Sequence, residues 1–356
     1  MDKRIKFAFV GCGRIVSKHA EALTNELKDQ AVLVAVSDIN IEKAKSTGEK
    51  YSVPFYSDYD TMLQQHDDID IVSILTESGN HARHTIDIVE KYRKHIIVEK
   101  PMALTLSDAD DMIKSCDAHG VKMFVVKQNR YNLPVMKLRK AIESNRFGKL
   151  VLGSVRVRWA RYQSYYDQDP WRGTWKYDGG VLTNQASHHI DLLEWMLGEP
   201  VSVFAKSRTA LVNTETEDTG VAIIKFKSGA LGIIEATTAT RPKDLEGSLS
   251  ILGEKGSVVI GGFAVNEMQT WNFEDDPDIE SGDMESDSEL PPNVYGFGHA
   301  RYLRNVCETL LKNEQALVDG LEGRKSLELI NALYESIETG EEVFLSFQPQ
   351  KCKLGL

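Results

Sequence analysis

The chain has 356 residues, long enough for two domains. Its formal net charge of −11 argues against a nucleic-acid groove or an anionic membrane surface, and it obliges any anionic substrate to find a local patch of Lys and Arg. The four cysteines, Cys12, Cys116, Cys307 and Cys352, form no C-x-x-C pair, so neither a zinc site nor a disulfide framework is expected. No apolar run approaches the ~18 residues of a membrane span, and no stretch of signal-peptide character precedes IKFAFV, so a reducing, cytoplasmic setting is expected.

Residues 5–10, IKFAFV, read as a strand buried on both faces. GCGRIV follows, then an amphipathic stretch, SKHAEALTNELK, then the strand AVLVAVSD, which ends in an acid. Strand, glycine turn, helix and strand form the unit that builds a parallel sheet. Further strands are IDIVSIL (69–75), HIIVEK (95–100) and VKMFVV (121–126). Helices fit between them at IEKAKSTGEKY, from HARHTIDIVEKY onward, and at SDADDMIKSCDAHG, where Ser107 reads as the N-cap with Asp110 three residues on.

After residue 126 the rhythm changes. The helix PVMKLRKAIES leads into long alternating strands, LVLGSVRVRWARY, SVFAKSRTALV, TGVAIIKFKSG, ALGIIEATTAT, LEGSLSILGEKG and SVVIGG. Their period of two predicts a mostly antiparallel sheet with one covered face. TNQASHHIDLLEWML (183–197) reads as a helix, and residues 274–289 as an acidic solvated loop without EF-hand spacing. Helices around 297–312 and 322–338 close an α/β chain divided as 1–126 and 127–356.

In the glycine turn, Gly11 makes the tight bend, and Gly13 lets backbone N–H groups approach a pyrophosphate, with Arg14 and Ile15 opening the helix. The third glycine position of G-x-G-x-x-G holds Val16, which only packs helix on strand. Asp38, at the end of the second strand, suits an adenosine ribose and repels a 2′-phosphate. This favours NAD over NADP.

Glu99-Lys100-Pro101, with the glycine-rich start and GGVLTNQASHHIDLLEWMLG, resembles the Gfo/Idh/MocA oxidoreductases over essentially the whole chain. The resemblance implies a Rossmann domain followed by an α/β domain with a large open sheet that often builds oligomers, here a dimer or tetramer. It places Glu99 and Lys100 at the cofactor and selects His188 as the motif histidine. Thr76 and His81 resemble the family's contacts to the cofactor ribose, with Glu77 where proline is commoner. Two positions depart from the motif: Asn184, where Asp is commoner, and Ala186, where Gly is usual. Within the family, VVKQNRYN, YYDQDPWRGTW, TNQASHH and NVYGFGHARYL are similar to dehydrogenases of bacterial polysaccharide synthesis. Those enzymes oxidise UDP-N-acetylglucosaminuronate at C3 of the sugar, and some reoxidise NADH with 2-oxoglutarate.

Oxidising a secondary alcohol needs a hydride acceptor, a base for the hydroxyl proton and a donor to the developing alkoxide. On a helical projection Ile190, Leu193, Met196 and Leu197 share one face with His189 at its edge, while His188 lies on the other side with Asn184, Asp191 and Trp195. His188 is read as the general base and Lys100 as the group that orients the hydroxyl; the sequence leaves open whether these roles are reversed. Lys127, Asn129, Arg130, Tyr131, Tyr165, Trp171 and Arg172 form a basic and aromatic set for an anionic nucleotide sugar, joined by Asn184 and, beside Gly296 and Gly298, by Tyr295 and His299. Two alternatives stay open: the same chemistry on a free sugar or inositol, and an NAD-binding sensor without catalysis.

Overall fold

The computed structural model describes residues 4–275, 288–289, 296–345 and 354. It divides into two compact units, Met1–Val126 with His299–Arg324, and Lys127–Gly298 with Lys325–Leu356.

The first unit holds a six-stranded sheet in the order β3-β2-β1-β4-β5-β6. Its strands are β1 (Ile5–Val10), β2 (Ala31–Ser37), β3 (Phe55–Tyr56), β4 (Ile71–Ile74), β5 (His95–Val98) and β6 (Met123–Val125). Every pairing is parallel. This is the doubly wound Rossmann order, in which ligands bind at the carboxyl ends of the strands. The helices are α1 (Val16–Glu21), α2 (Ile41–Tyr51), α3 (Tyr59–Gln65), α4 (His81–Tyr92) and α5 (Leu106–His119). The α2 helix starts where the Asn40 side chain accepts the Glu42 and Lys43 N–H groups. For α5 the cap is Thr105, which accepts the Asp108 N–H at 3.1 Å, rather than Ser107. Thr105 and Ser107 each have an Asp three residues on; burial of Leu106 puts the helix start at the earlier one.

His299–Arg324, which the sequence pattern leaves in the second domain, clusters with the first. The reason is local. Phe124 bridges to Asp319, and the Val125 N–H donates to the Val318 carbonyl at 3.3 Å, so this segment continues the edge of β6. A Cβ on Gly323 would meet Val125 Cγ2 at 2.4 Å, so the small residue is what allows the approach.

The second unit carries an eight-stranded mixed sheet. It consists of β7 (Leu150–Arg158), β8 (Pro200–Arg208), β9 (Thr219–Phe226), β10 (Leu231–Thr237), β11 (Glu246–Gly253), β12 (Gly256–Gly261), β13 (Glu267–Phe273) and β14 (Val343–Phe344). The order is β13-β12-β11-β7-β10-β9-β8-β14, and β7–β10 is the one parallel pair among the described strands of this sheet. The helices of this unit include α6 (Leu133–Glu143), the short α7 (Gln163–Tyr166) and α8 (Ser187–Leu197). Two later helices, α9 (Gly298–Lys312) and α10 (Gly320–Thr339), complete the fold.

One sheet face is covered by α8, which comes close because β7 and β10 offer glycines. A Cβ on Gly153 would meet Leu197 and Leu193 at 2.8 and 2.9 Å. On the other face Phe204, Ile223 and Ile233 stand opposite one another in register across β8, β9 and β10, all three exposed. Among the described residues no helix is long and apolar enough to cross a membrane.

Candidate active site

At the glycine turn, Gly11 has φ +100°, and a Cβ there would lie 2.7 Å from the Leu75 backbone, so the bend admits only glycine. A Cβ on Gly13 would meet no protein atom within 4 Å; space, not packing, surrounds this exposed position. Arg14 beside it is exposed and Ile15 half-buried. The Asp38 carboxylate accepts the Cys12 N–H at 2.7 Å and the Asn40 N–H at 2.8 Å, fixing both the turn and the start of α2.

The strand ends next to it are built from paired polar groups. Glu99 is buried and accepts from His19 Nε2 at 2.8 Å through Oε1 and from the Lys100 N–H at 3.1 Å through Oε2. Burial pushes this carboxyl up, but the hydrogen bond and charge of His19, with His299 and Lys100, outweigh it and bring it to about 2. His299, expected at the substrate, is buried here, its ring 5.6 Å from that of His19. His81 is buried as well, with Nδ1 2.8 Å from the Pro101 carbonyl and Nε2 3.0 Å from the Thr76 carbonyl. Burial lowers its affinity for a proton. The Thr76 hydroxyl pairs with His84 Nδ1 at 3.0 Å. The expected ribose pair therefore ties the ends of β4 and β5 together, and both ring nitrogens of His81 already face carbonyls.

In the second unit, Arg130 makes a bidentate pair with Asp191 on α8, at 2.8 and 2.9 Å, and stacks on Trp195. Lys127 donates to Ser326 Oγ at 2.6 Å and lies 3.5 Å from Asp191. Burial would raise the Asp191 carboxyl, but Arg130 and Lys127 hold it below its usual range. Lys127, Asn129, Arg130 and Tyr131 are all buried, so this stretch locks the helix that carries His188. Tyr165, Trp171 and Arg172 are half-buried and form a separate stack. The Arg172 guanidinium sits 4.4 Å from the Trp171 ring and 4.7 Å from Tyr165, donating to Asp169 and to the Tyr165 hydroxyl.

His188 lies one residue inside α8 and is buried, as is His189. His189 packs edge-on to Trp159 at 5.9 Å and close to Gly247, and burial lowers it to about 4. Asn184 donates its amide to the buried Asp178, whose other oxygen accepts the Gly173 N–H. A carboxylate therefore does stand beside the position where the motif usually has Asp. Tyr295 and most of the acidic stretch 274–289 lie outside the described residues.

Residues 5–127 match the model of the oxidoreductase family with an NAD-binding Rossmann fold, and residues 135–259 match the GFO/IDH/MocA C-terminal domain. The chain belongs to the Gfo/Idh/MocA oxidoreductases. A WlbA dehydrogenase from Chromobacterium violaceum, solved with NADH and UDP-GlcNAcA, is 42% identical, with a TM-score of 0.88 over 97% of this chain and 96% of that one. The Bordetella pertussis WlbA dehydrogenase, also with NADH and UDP-GlcNAcA, is 40% identical, with a TM-score of 0.90 over 97% and 98%. Myo-inositol 2-dehydrogenase of Thermotoga maritima is 28% identical over 96% of this chain and 98% of its own. This family member is accordingly an NAD-dependent dehydrogenase acting on CH–OH groups. The open position at Gly13, the glycine-only bend at Gly11 and the acid Asp38 fit a dinucleotide.

Sequence reasoning passed over His19, Asp178 and the buried Glu217, and it placed Asp191 on the His188 side of the helix without its Arg130 partner. The Glu217 Oε1 accepts from the Leu182 N–H at 3.0 Å and from the Tyr334 hydroxyl at 2.8 Å. Tyr334 in turn accepts from Thr183 and the Gly180 N–H. A Cβ on Gly180 would lie 2.0 Å from Glu217 Oε2, so the second glycine of the GG pair makes room for this acid. Burial raises the Glu217 carboxyl to about 7.

A carboxyl raised on folding stabilises below its unfolded value and loses that contribution as pH climbs through its folded value. Glu217→Gln keeps the Oε1 acceptor and cannot ionise. Its stability relative to wild type should rise by up to ~3 kcal/mol between about pH 4.5 and pH 8. Urea denaturation across that range reads this; a pH-independent difference between the two proteins would refute it.

Proposed function

We propose that this protein oxidises the C3 hydroxyl of UDP-N-acetylglucosaminuronate to the 3-keto sugar in the synthesis of bacterial polysaccharide. The observation that carries the reading is chain-long similarity, at 42% and 40% identity, to two dehydrogenases solved with NADH and UDP-GlcNAcA. The myo-inositol dehydrogenase at 28% identity supports the second reading, a free polyol as substrate.

NAD supplies the hydride acceptor. The chain's own residues handle the proton. His188, held on α8 by the Arg130–Asp191 pair, takes the hydroxyl proton as general base. Lys100, at the carboxyl end of β5, orients the hydroxyl and stabilises the alkoxide as it forms. The half-buried Tyr165, Trp171 and Arg172 stack receives part of the anionic nucleotide sugar, with Asn184 beside Asp178 as a further polar contact. The same reading extends to reoxidation of NADH by 2-oxoglutarate.

Purified protein should convert UDP-N-acetylglucosaminuronate with NAD reduction, and 2-oxoglutarate should restore the oxidised cofactor. Lys100→Ala and His188→Ala should each lower kcat by roughly 10²-fold or more. Efficient turnover of myo-inositol with no binding of the UDP-sugar would replace the substrate, and near-normal rates in either variant would remove that residue's role.

Asp38 carries the cofactor preference. Asp38→Ala should weaken NAD binding and narrow the preference over NADP, because the negative charge that repels a 2′-phosphate is gone. An unchanged ratio of NAD to NADP dissociation constants would show that the ribose is read elsewhere.

The exposed row Phe204, Ile223 and Ile233 suits association with another copy of this chain, since a monomer rarely leaves large apolar side chains contiguous on one sheet face. Light scattering should give a dimer or tetramer for the wild type and a smaller species for Ile223→Lys. A monomeric mass at micromolar wild-type protein would reject the association.

A further inference from the structure

We propose that His19 is a positioning residue for Lys100, acting through the carboxylate of Glu99. The proposal rests on the reading of Lys100 as the catalytic lysine. His19 is on α1, the helix that follows the glycine turn, and is fully buried. It lies 80 residues from its partner in the chain, so the contact is built by the fold and not by local sequence.

Glu99 has its two oxygens committed in different directions. Oε1 takes the His19 ring N–H, and Oε2 takes the backbone N–H of Lys100. The carboxylate therefore joins the helix of the cofactor turn to the peptide from which the lysine side chain springs. His81 holds the next peptide from the opposite side, through the Pro101 carbonyl. With the backbone gripped at both Lys100 and Pro101, the side chain starts from a fixed origin.

The arrangement also sets charge. Besides His19, the groups facing Glu99 are His299, Lys100 and His81. A carboxylate deprived of water keeps its charge only while such partners support it. Without the His19 donor, burial drives a proton onto Glu99, and Lys100 loses a neighbouring anion. A lysine that loses its anion gives up its proton at lower pH. The donor atoms of His19, Glu99 and His299 lie within 4.8 Å of one another, a spacing that a divalent cation also accepts. The proton-linked arrangement is favoured because both Glu99 oxygens already have protein donors.

The test reads Lys100 itself. The NAD-bound protein is labelled with acetic anhydride across pH 7–11, and acetylation of Lys100 is followed by mass spectrometry in wild type, His19→Leu, His19→Gln and Glu99→Gln. Glu99→Gln is nearly isosteric and keeps the acceptor for the Lys100 N–H. It should move the lysine's labelling midpoint down by about one pH unit, a tenfold change in the amine fraction. His19→Leu should move it in the same direction, the double variant should add little, and His19→Gln, which keeps an N–H donor, should restore most of the wild-type curve. Unchanged midpoints in Glu99→Gln would overturn the proposal, as would additive shifts or stoichiometric metal in the purified protein. Lys100→Ala turnover is a separate readout: a near-normal rate there removes the catalytic reading while leaving the labelling result intact.

Discussion

A carboxylate taken out of water must recover its hydrogen bonds from the protein, and the loops that carry this chemistry are held by that demand. Asp38 gathers two backbone N–H groups at the cofactor turn. Glu99 takes the Lys100 N–H and a histidine ring. Asp178 holds the Gly173 N–H and the Asn184 amide. Glu217 pins the GG loop, and Asp191 anchors α8 to Arg130. Leaving any of the buried four, Glu99, Asp178, Glu217 or Asp191, unpaired costs several times what a surface hydrogen bond contributes, so each of these acids allows its loop few alternatives. The loops are therefore ordered by electrostatic satisfaction as well as by apolar packing, with Leu182 and Met102 buried beside two of these acids.

The same constraint explains one glycine of the second unit and apolar packing another. Gly180 yields space to a carboxylate, whereas Gly153 yields it to leucines of α8. In one case a small residue admits a polar anchor; in the other it lets an apolar helix close on the sheet. Both act on the same element from its two ends: the GG loop leads into α8, and Leu193 and Leu197 seat its far half. His188 sits between these fixed points, three residues before Asp191.

What could be read from sequence follows the range of each interaction. The long parallel strands were legible because burial on both faces writes a continuous apolar run, and the second sheet because one covered face writes a period of two. The pairs Phe55–Tyr56 and Val343–Phe344 are too short to write any period, and they become strands only by pairing with β2 and β8. The glycine turn and the E-K-P segment are local motifs, and their neighbours in the chain identify them. Pairings across tens of residues leave no local mark. Arg130 and Asp191 are 61 residues apart, so a basic and aromatic stretch that looks like an anion site has its charge answered inside the protein. His299 was read for its flexible glycine neighbours, yet α9 carries it into the interior beside His19.

This internal answering of charge bears on which substrates the second unit can select. Lys127 and Arg130 are already balanced by Asp191 and are buried, so an entering phosphate gains little from them without leaving Asp191 uncompensated. Arg172 differs. Its side chain is 9% exposed, its guanidinium lies over two aromatic rings, and its carboxylate partner Asp169 is only three residues away and partly exposed. Exchanging Asp169 for a ligand carboxylate or phosphate returns Asp169 to water at small cost and keeps the stacked guanidinium in place. A neutral polyol has no charge to offer in that exchange. On the proposed reading, discrimination between an acidic nucleotide sugar and a free polyol would rest less on the number of cations than on which cation has a partner that can be replaced.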